Sequence, residues 1–77
     1  MSEHYYEIRV EGRLGGRWSD WFGLSMRHEA YAEGERACTV LSGRMDQAAL
    51  HGVLTKTWNM IIPLISVRRV NEAEQVG

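Results

Sequence analysis

The chain has 77 residues, a hydrophobic fraction of 44% and nine basic against ten acidic side chains, for a net charge of −1. That length fits one small domain with a limited core, and the balanced charge gives no overall field to attract nucleic acid or an anionic membrane. The lone cysteine, Cys38, excludes an internal disulfide and favours a reducing compartment. Residues 1–7 lack a signal-peptide pattern, and the longest apolar run, 60–65, is too short to span a bilayer, so we expect a cytoplasmic protein.

The clearest pattern in the chain is the strict alternation over residues 5–14. Apolar side chains from Tyr6 to Val10 fall on one side, and glutamate alternates with arginine on the other. This pattern predicts a first strand with one buried face and with ion pairs on its open face. Two glycines, at 15 and 16, end the strand.

An aromatic segment, Arg-Trp-Ser-Asp-Trp-Phe, follows at residues 17–22. It is too apolar for a solvated loop, so we expect it to fold over an edge of the core, with one helical turn as an option. Whether it caps the core or forms a recognition segment stays open. If it is a cap, Trp18 or Trp21 should be largely buried.

The middle of the chain predicts a β-hairpin. Residues 24–30 alternate again and predict a second strand, with His28 among its core-facing positions. Residues 32–35, which contain a glycine, are predicted as the hairpin tip. Residues 36–42 are predicted as a third strand that ends where Gly43 breaks it.

A helix is predicted over residues 47–61, with Asp46 as its N-cap because a carboxylate can accept the free N–H groups of the first turn. Pro63 cannot continue the helix. Residues 64–70 are predicted as a fourth strand and 71–77 as a frayed tail. The core-facing helix positions recur at three- and four-residue spacing: Leu50, Val53, Thr57 and Ile61.

This order predicts one α+β domain over residues 1–77, βββαβ, with an ordered core at about 5–70. We expect a mainly antiparallel four-stranded sheet with one helix packed on one face. The order of the strands in the sheet is left open, since the segment at 17–22 could be a tight turn or a short crossover.

Four stretches of the sequence resemble a family of short uncharacterised bacterial proteins: Tyr5-Tyr6-Glu7-Ile8-Arg9-Val10, Trp18-Ser19-x-Trp21-Phe22, Asp46-Gln47-Ala48-Ala49-Leu50-His51-Gly52 and Leu64-Ile65-Ser66-Val67. The resemblance spans about residues 5–70. It implies a bacterial cytoplasmic origin. The family has no established activity, so the resemblance assigns no catalytic residue.

No set of residues has the spacing of a metal, phosphate or nucleophile site, so we expect no cofactor. The possible metal ligands share no C-x-x-C or H-x-x-x-H pattern: His4, His28, His51 and Cys38. Cys38 is predicted to be a buried structural thiol. Glu7 and Glu11 flank Arg9, which favours surface ion pairs over a carboxylate pair for acid–base chemistry.

The outer face of the predicted helix is small and almost uncharged, whereas a helix facing water normally carries charge. A single helix also roofs only about half of a four-stranded sheet. Both observations favour a homodimer, and the alternative is a weakly polar, solvated helix. The candidate dimer interface consists of Ala48, Gly52, Thr55, Trp58 and Asn59.

The sequence therefore predicts a small homodimeric, non-catalytic binding or regulatory module, for a small molecule or another protein. The candidate ligand or partner surface is Trp18, Trp21, Phe22 and His51. One alternative is a single-stranded nucleic-acid binder that uses the sheet face bearing Arg9, Arg13, Arg27 and Arg68 beside Tyr5, although glutamates on that face would cancel the field. The other alternative is a small enzyme with a site at the dimer interface, near His51 and Trp58.

Overall fold

A computed structural model describes residues 2–30 and 37–71 of the chain. The domain is α+β, as predicted, and its elements follow one another as β1 (His4–Glu11), α1 (Arg17–Phe22), β2 (Ser25–Ala30), β3 (Ala37–Met45), α2 (Gln47–Asn59) and β4 (Leu64–Val70). The predicted hairpin tip at 32–35 and the tail at 72–77 lie outside the described residues. No helix in the described ranges has the length and hydropathy needed to cross a membrane.

The four strands form one antiparallel sheet in the order β2-β3-β1-β4. β1 lies inside the sheet, where Ile8 faces Leu41 of β3 on one side and Val67 of β4 on the other. In the described part of the chain, β2 and β4 are the two edges. The aromatic segment is thus a short crossover from β1 to β2, and the element order is that of the split β-α-β arrangement.

The core lies between the sheet and α2, where alternate residues of β1 meet the buried stripe of the helix. Asp46 caps α2 as predicted, since its carboxylate accepts a hydrogen bond from the N–H of Ala49 at 2.8 Å. The core consists of buried side chains from both layers: Tyr6, Ile8, Val10, Phe22, Leu41, Met45, Leu50 and Val53.

β3 runs through Gly43 to Met45, so the prediction that Gly43 breaks this strand is wrong. Gly43 faces Tyr6 in the sheet, and a Cβ atom at Gly43 would lie 2.8 Å from a methyl carbon of Leu24. The glycine therefore makes room for the Leu24 side chain against the strand, a packing role that leaves the strand continuous.

β1 ends at Glu11, three residues before the predicted end. Gly12 has a φ of +91°, which turns the chain away from the sheet. The buried hydroxyl of Thr39 donates to the carbonyl oxygen of Gly12 at 2.7 Å and accepts from the N–H of Leu14 at 3.0 Å. Two hydrogen bonds from one side chain therefore fix the start of the connection to α1.

His28 lies on the helix side of the sheet, as predicted, because it pairs with the buried Thr39. Its side chain is nevertheless exposed, at the edge strand β2. The His28 ring lies with Nε2 2.8 Å from the carbonyl oxygen of Leu14, which gives it the structural hydrogen bond expected of a non-catalytic histidine.

α2 ends at Asn59, two residues before the predicted end. The N–H of Ile61 donates to the carbonyl of Trp58 at 3.1 Å, and the N–H of Ile62 donates to that of Thr57 at 3.0 Å. This pair of hydrogen bonds is a Schellman motif. It places Ile61 in the left-handed region, with a φ of 56°, so that its side chain leaves the predicted core face and points to solvent.

Candidate functional site

The sheet face opposite the helices carries a closed ring of four charges, the ion-pair ring, made of Glu7 and Arg9 from β1 and Arg27 and Glu29 from β2. Arg9 lies 3.3 Å from Glu7 and 3.4 Å from Glu29. Arg27 lies 3.4 Å from Glu7 and 2.7 Å from Glu29. Each charge therefore contacts both charges of opposite sign, and the predicted ion pairs are confirmed.

The ion-pair ring spans β3, which separates β1 from β2. Arg9 and Arg27 both face Val40 in the strand register, one from each side. Val40 and the neighbouring Cys38 have no exposed surface at all. The apolar stems of the two arginines thus cover the strand beneath them, while the guanidinium groups stay in contact with water.

Two pKa values report the strength of this ring. The hydrogen bond from Arg27 holds the pKa of Glu29 below its ordinary value of 4.5, and the same bond raises the pKa of Arg27. Both shifts favour the charged forms of Glu29 and Arg27. The thiol of Cys38, buried beneath it, matches the predicted structural role.

α1 covers one end of the core through Phe22, which is 6% exposed. Trp18 is mostly buried against the core, as predicted for at least one of the two indoles, whereas Trp21 is 46% exposed. The helix has only six residues and directs a single large side chain fully into the core. The rings nevertheless form one cluster, since the Trp21 centroid lies 5.2 Å from that of Trp18 and 5.1 Å from that of Phe22.

A cleft of about 450 Å³ opens beside this cluster, between α1 and α2, lined by Arg17, Trp18, Trp21 and Met60. Lys56 of α2 closes one side. Its ammonium group lies 5.0 Å from the centre of the Trp21 ring and donates to the Trp21 carbonyl at 3.1 Å. These contacts attach α2 to α1.

His51 lies apart from the aromatic cluster, because it precedes Lys56 by five residues and so points about 140° away around the helix. The hollow next to it has a volume of about 470 Å³, and none of the other lining residues is ionisable: Gln47, Ala48, Leu50 and Leu54. The structure thus separates His51 from Trp18, Trp21 and Phe22. Across the described ranges, no three His, Cys, Asp or Glu side chains lie close enough together to hold a metal ion.

The outer face of α2 is open to solvent. It carries the small residues named as the candidate interface, and all of them are exposed: Ala48, Gly52, Thr55 and Asn59. A Cβ atom at Gly52 would have no neighbour within 4 Å. The remaining member of that set, Trp58, lies on the flank of the helix that faces β4.

That flank belongs to an exposed apolar surface, the apolar strip, made of Trp58, Ile61, Leu64, Ile65 and Val67. α2 packs closest to β3, so it leaves much of β4 uncovered. Trp58 is 83% exposed, Ile61 88% and Leu64 48%, while Ile65 and Val67 are each 38% exposed. An open groove of about 650 Å³ follows the strip, and none of its lining side chains is ionisable.

A family model described as a domain of unknown function, DUF8691, matches residues 5–68. The chain belongs to the DUF8691 family. This agrees with the predicted resemblance to an uncharacterised family. No curated protein and no solved structure matches the chain. The matched region contains both the ion-pair ring and the apolar strip, so both surfaces lie within the DUF8691 domain.

Among the five residues of the strip in this DUF8691 domain, only Trp58 was predicted to belong to a candidate site. The signal for Ile61, Leu64 and Ile65 was the longest apolar run, residues 60–65. That run is too short for a membrane span. A short apolar run around a proline, between a helix and a strand, also marks a place where large side chains have no core to enter.

Proposed function

We propose that this domain is a small, non-catalytic binding module that works as a homodimer. The observation that carries the proposal is the apolar strip, in which Trp58 and Ile61 stand almost fully exposed beside Leu64. Single exposed apolar residues are ordinary, but a contiguous set flanking a groove is typical of an interaction surface. Aromatic side chains at such places are frequent anchors of protein interfaces.

The conformation of Ile61 supports this proposal. A β-branched residue rarely adopts a positive φ, and the left-handed region costs an L-residue about 1–2 kcal/mol. Glycine or asparagine is the usual residue at this position of a Schellman motif. In Ile61 the strained backbone presents an apolar side chain to water next to Trp58. In an isolated domain nothing compensates for the strained backbone or for the exposed apolar side chain, whereas contact with a bound partner would offset both costs.

The chemistry of the surfaces favours binding over catalysis. No lining residue of the groove can transfer a proton, and in the hollow beside it His51 has no ionisable partner among the lining residues. The ion-pair ring holds two glutamates against two arginines, and Arg68 lies 3.9 Å from Glu7 on the same face, so these arginines contact carboxylates and are not free for a nucleic-acid backbone.

The proposal is tested by measuring the association state. Sedimentation equilibrium of the wild type at micromolar concentration should give the mass of a dimer. Trp58→Ala should raise the dissociation constant by about 30-fold or more, as expected for a hot-spot aromatic.

Trp21→Ala is the matched control, because Trp21 is also an exposed indole but lies in the aromatic cluster, outside the strip. It should leave association unchanged. A wild type that stays monomeric at every concentration, or equal losses in the two variants, would contradict the proposal.

A further inference from the structure

The outer edge of β4 has backbone groups that await a partner strand. The N–H of Glu11 donates to the carbonyl of Pro63 at 2.9 Å, so the odd-numbered residues of β1 turn their peptide groups towards β4. By the alternation of an antiparallel ladder, their partners Ser66 and Arg68 point inward, and Val67 points its N–H and C=O out of the sheet. In the described part of the chain, β1 is the only strand beside β4.

We infer that β4 pairs antiparallel with β4 of a second copy, so that two domains share one eight-stranded sheet. This inference rests on the proposed homodimer and assigns its seam. A second copy fits this edge when the two-fold axis passes through Val67, which lies in the regular part of the β1–β4 ladder, one residue beyond the register shift between Ser66 and Leu64. That residue is the midpoint of Leu64–Val70, and its outward peptide groups can hydrogen-bond to those of its own copy.

The arginines of β4 select this register. With the axis at Val67, Arg68 faces Ser66 of the second copy and Arg69 faces Ile65 of the second copy, so no two arginines are opposite. A shift of the axis to Arg68 would place two guanidinium groups directly across from one another, which destabilises a strand pair. Charge therefore disfavours the register centred on Arg68, while the register shift near Ile65 confines the regular part of β4 to residues 66–70.

The same arrangement covers the apolar strip. A two-fold axis perpendicular to the sheet places both α2 helices on one face, with the two β4 strands between them. Trp58 and Ile61 line each wall of the resulting trough, and Leu64 and Val67 lie on its floor.

The area is in the range that a dimer needs. Trp58 alone can contribute about 200 Å². Together with four aliphatic side chains and the strand edge, the strip amounts to several hundred Å² per copy, against roughly 800 Å² in a standard interface. Pairing at the β4 edge thus accounts for most of the exposed apolar surface described above.

Disulfide trapping tests the register. In a Val67→Cys variant the two thiols would face each other across the axis, with Cα atoms about 5.5 Å apart, within disulfide reach. Mild oxidation of the folded protein should give a covalent dimer on a non-reducing gel, at least about tenfold faster than in Ser66→Cys, whose equivalent Cα atoms would lie about 8 Å apart. The wild type is the blank, because Cys38 is fully buried.

A third variant, Thr55→Cys, reports on the outer face of α2. If it is trapped and Val67→Cys is not, the seam lies on that helix face, so that the β4 inference fails while the proposed homodimer stands. Equal trapping of all three variants would indicate random collision and overturn the inference. If none is trapped and the wild type sediments as a monomer, both the inference and the proposed function fail. Thermal melting of each variant verifies that the single exposed substitution leaves the fold intact.

Discussion

Apolar residues are buried on one face of the sheet and remain partly exposed on the other. On the face with the ion-pair ring, Val40 is completely buried although no helix covers it. On the face towards the helices, Val67 and Leu64 remain exposed at the edge where α2 does not reach. Charged side chains therefore cover the apolar residues of one face, while the helices leave some apolar residues of the other face exposed.

The difference follows from the length and the pairing of the side chains involved. Arg9 and Arg27 can lie along the strand between them because each is held by two glutamates. β4 has a neighbour on one side only, so no arginine can reach across it in this way. The apolar residues that the chain cannot cover by itself therefore lie at the sheet edge beside a single helix.

The largest effect should come from placing one charge on each face. Val40→Asp would bury a third carboxylate between Arg9 and Arg27, whose charges Glu7 and Glu29 already balance, and should lower the free energy of unfolding by more than about 3 kcal/mol. Val67→Asp should change the unfolding of the monomer by less than about 1 kcal/mol and should prevent association. Urea unfolding at a concentration below the dimer range compares the two variants, and similar losses would show that both valines belong to one core.

Two substitutions of Arg9 distinguish the stabilisation that comes from its apolar stem from the stabilisation that comes from its charge. Arg9→Ala removes both the stem above Val40 and two ion pairs, so we expect it to cost about 1–2 kcal/mol. Arg9→Met keeps an apolar stem, and it should recover at least half of that loss. If the methionine variant is as unstable as the alanine variant, the ring stabilises the sheet through charge and not through cover.

Substitution of Ile61 tests how one residue of the apolar strip affects both stability and self-association. Ile61→Gly relieves the positive φ and removes an exposed side chain, so it should stabilise the monomer by about 1 kcal/mol. The same change should weaken self-association. Chemical denaturation measures the first effect and sedimentation the second. Stability that falls together with association would mean that Ile61 serves the fold of the domain itself.

The smallest expected effect concerns acid. The pKa of Glu29 is lower in the folded protein than its ordinary value of 4.5, so its carboxylate contributes stability above that pH, and the contribution is lost as the pH falls through the folded pKa. Glu29→Gln should cost at most about 1 kcal/mol at neutral pH and should flatten the pH dependence of unfolding below 4.5. An unchanged slope in that window would show that other carboxylates carry the acid sensitivity.

Local signals in the sequence were sufficient for much of the fold. The bounds of β4 and the N-cap at Asp46 were predicted correctly, because alternation, a proline and a capping carboxylate are encoded within a few residues. The continuation of β3 through Gly43 was not, because it depends on Leu24, a distant residue that fills the space above the glycine. The end of α2 was misplaced because Ile61 adopts a conformation that its residue type disfavours.

The surfaces were less predictable than the elements that form them. Alternation of Glu7 and Arg9 predicted ion pairs, but closure of the ring with Arg27 needs the strand order, which places β3 between the two charged strands. The apolar strip depends in addition on β4 being an edge and on the position of α2. Neither the edge position of β4 nor the placement of α2 can be predicted from the sequence spacing of Trp58 or Val67.

The strand order also bears on how far such a molecule can polymerise. One edge strand, β4, exposes Leu64, Ile65 and Val67 beside Arg68 and Arg69, whereas the other, β2, carries Arg27, His28 and Glu29. A contact of β4 with itself consumes the adhesive edge of both copies and turns the two charged edges outward. Growth into a fibre would require β4 to accept β2, which its charged side chains discourage. In the proposed dimer, the order of the four strands would favour two copies over an extended fibre.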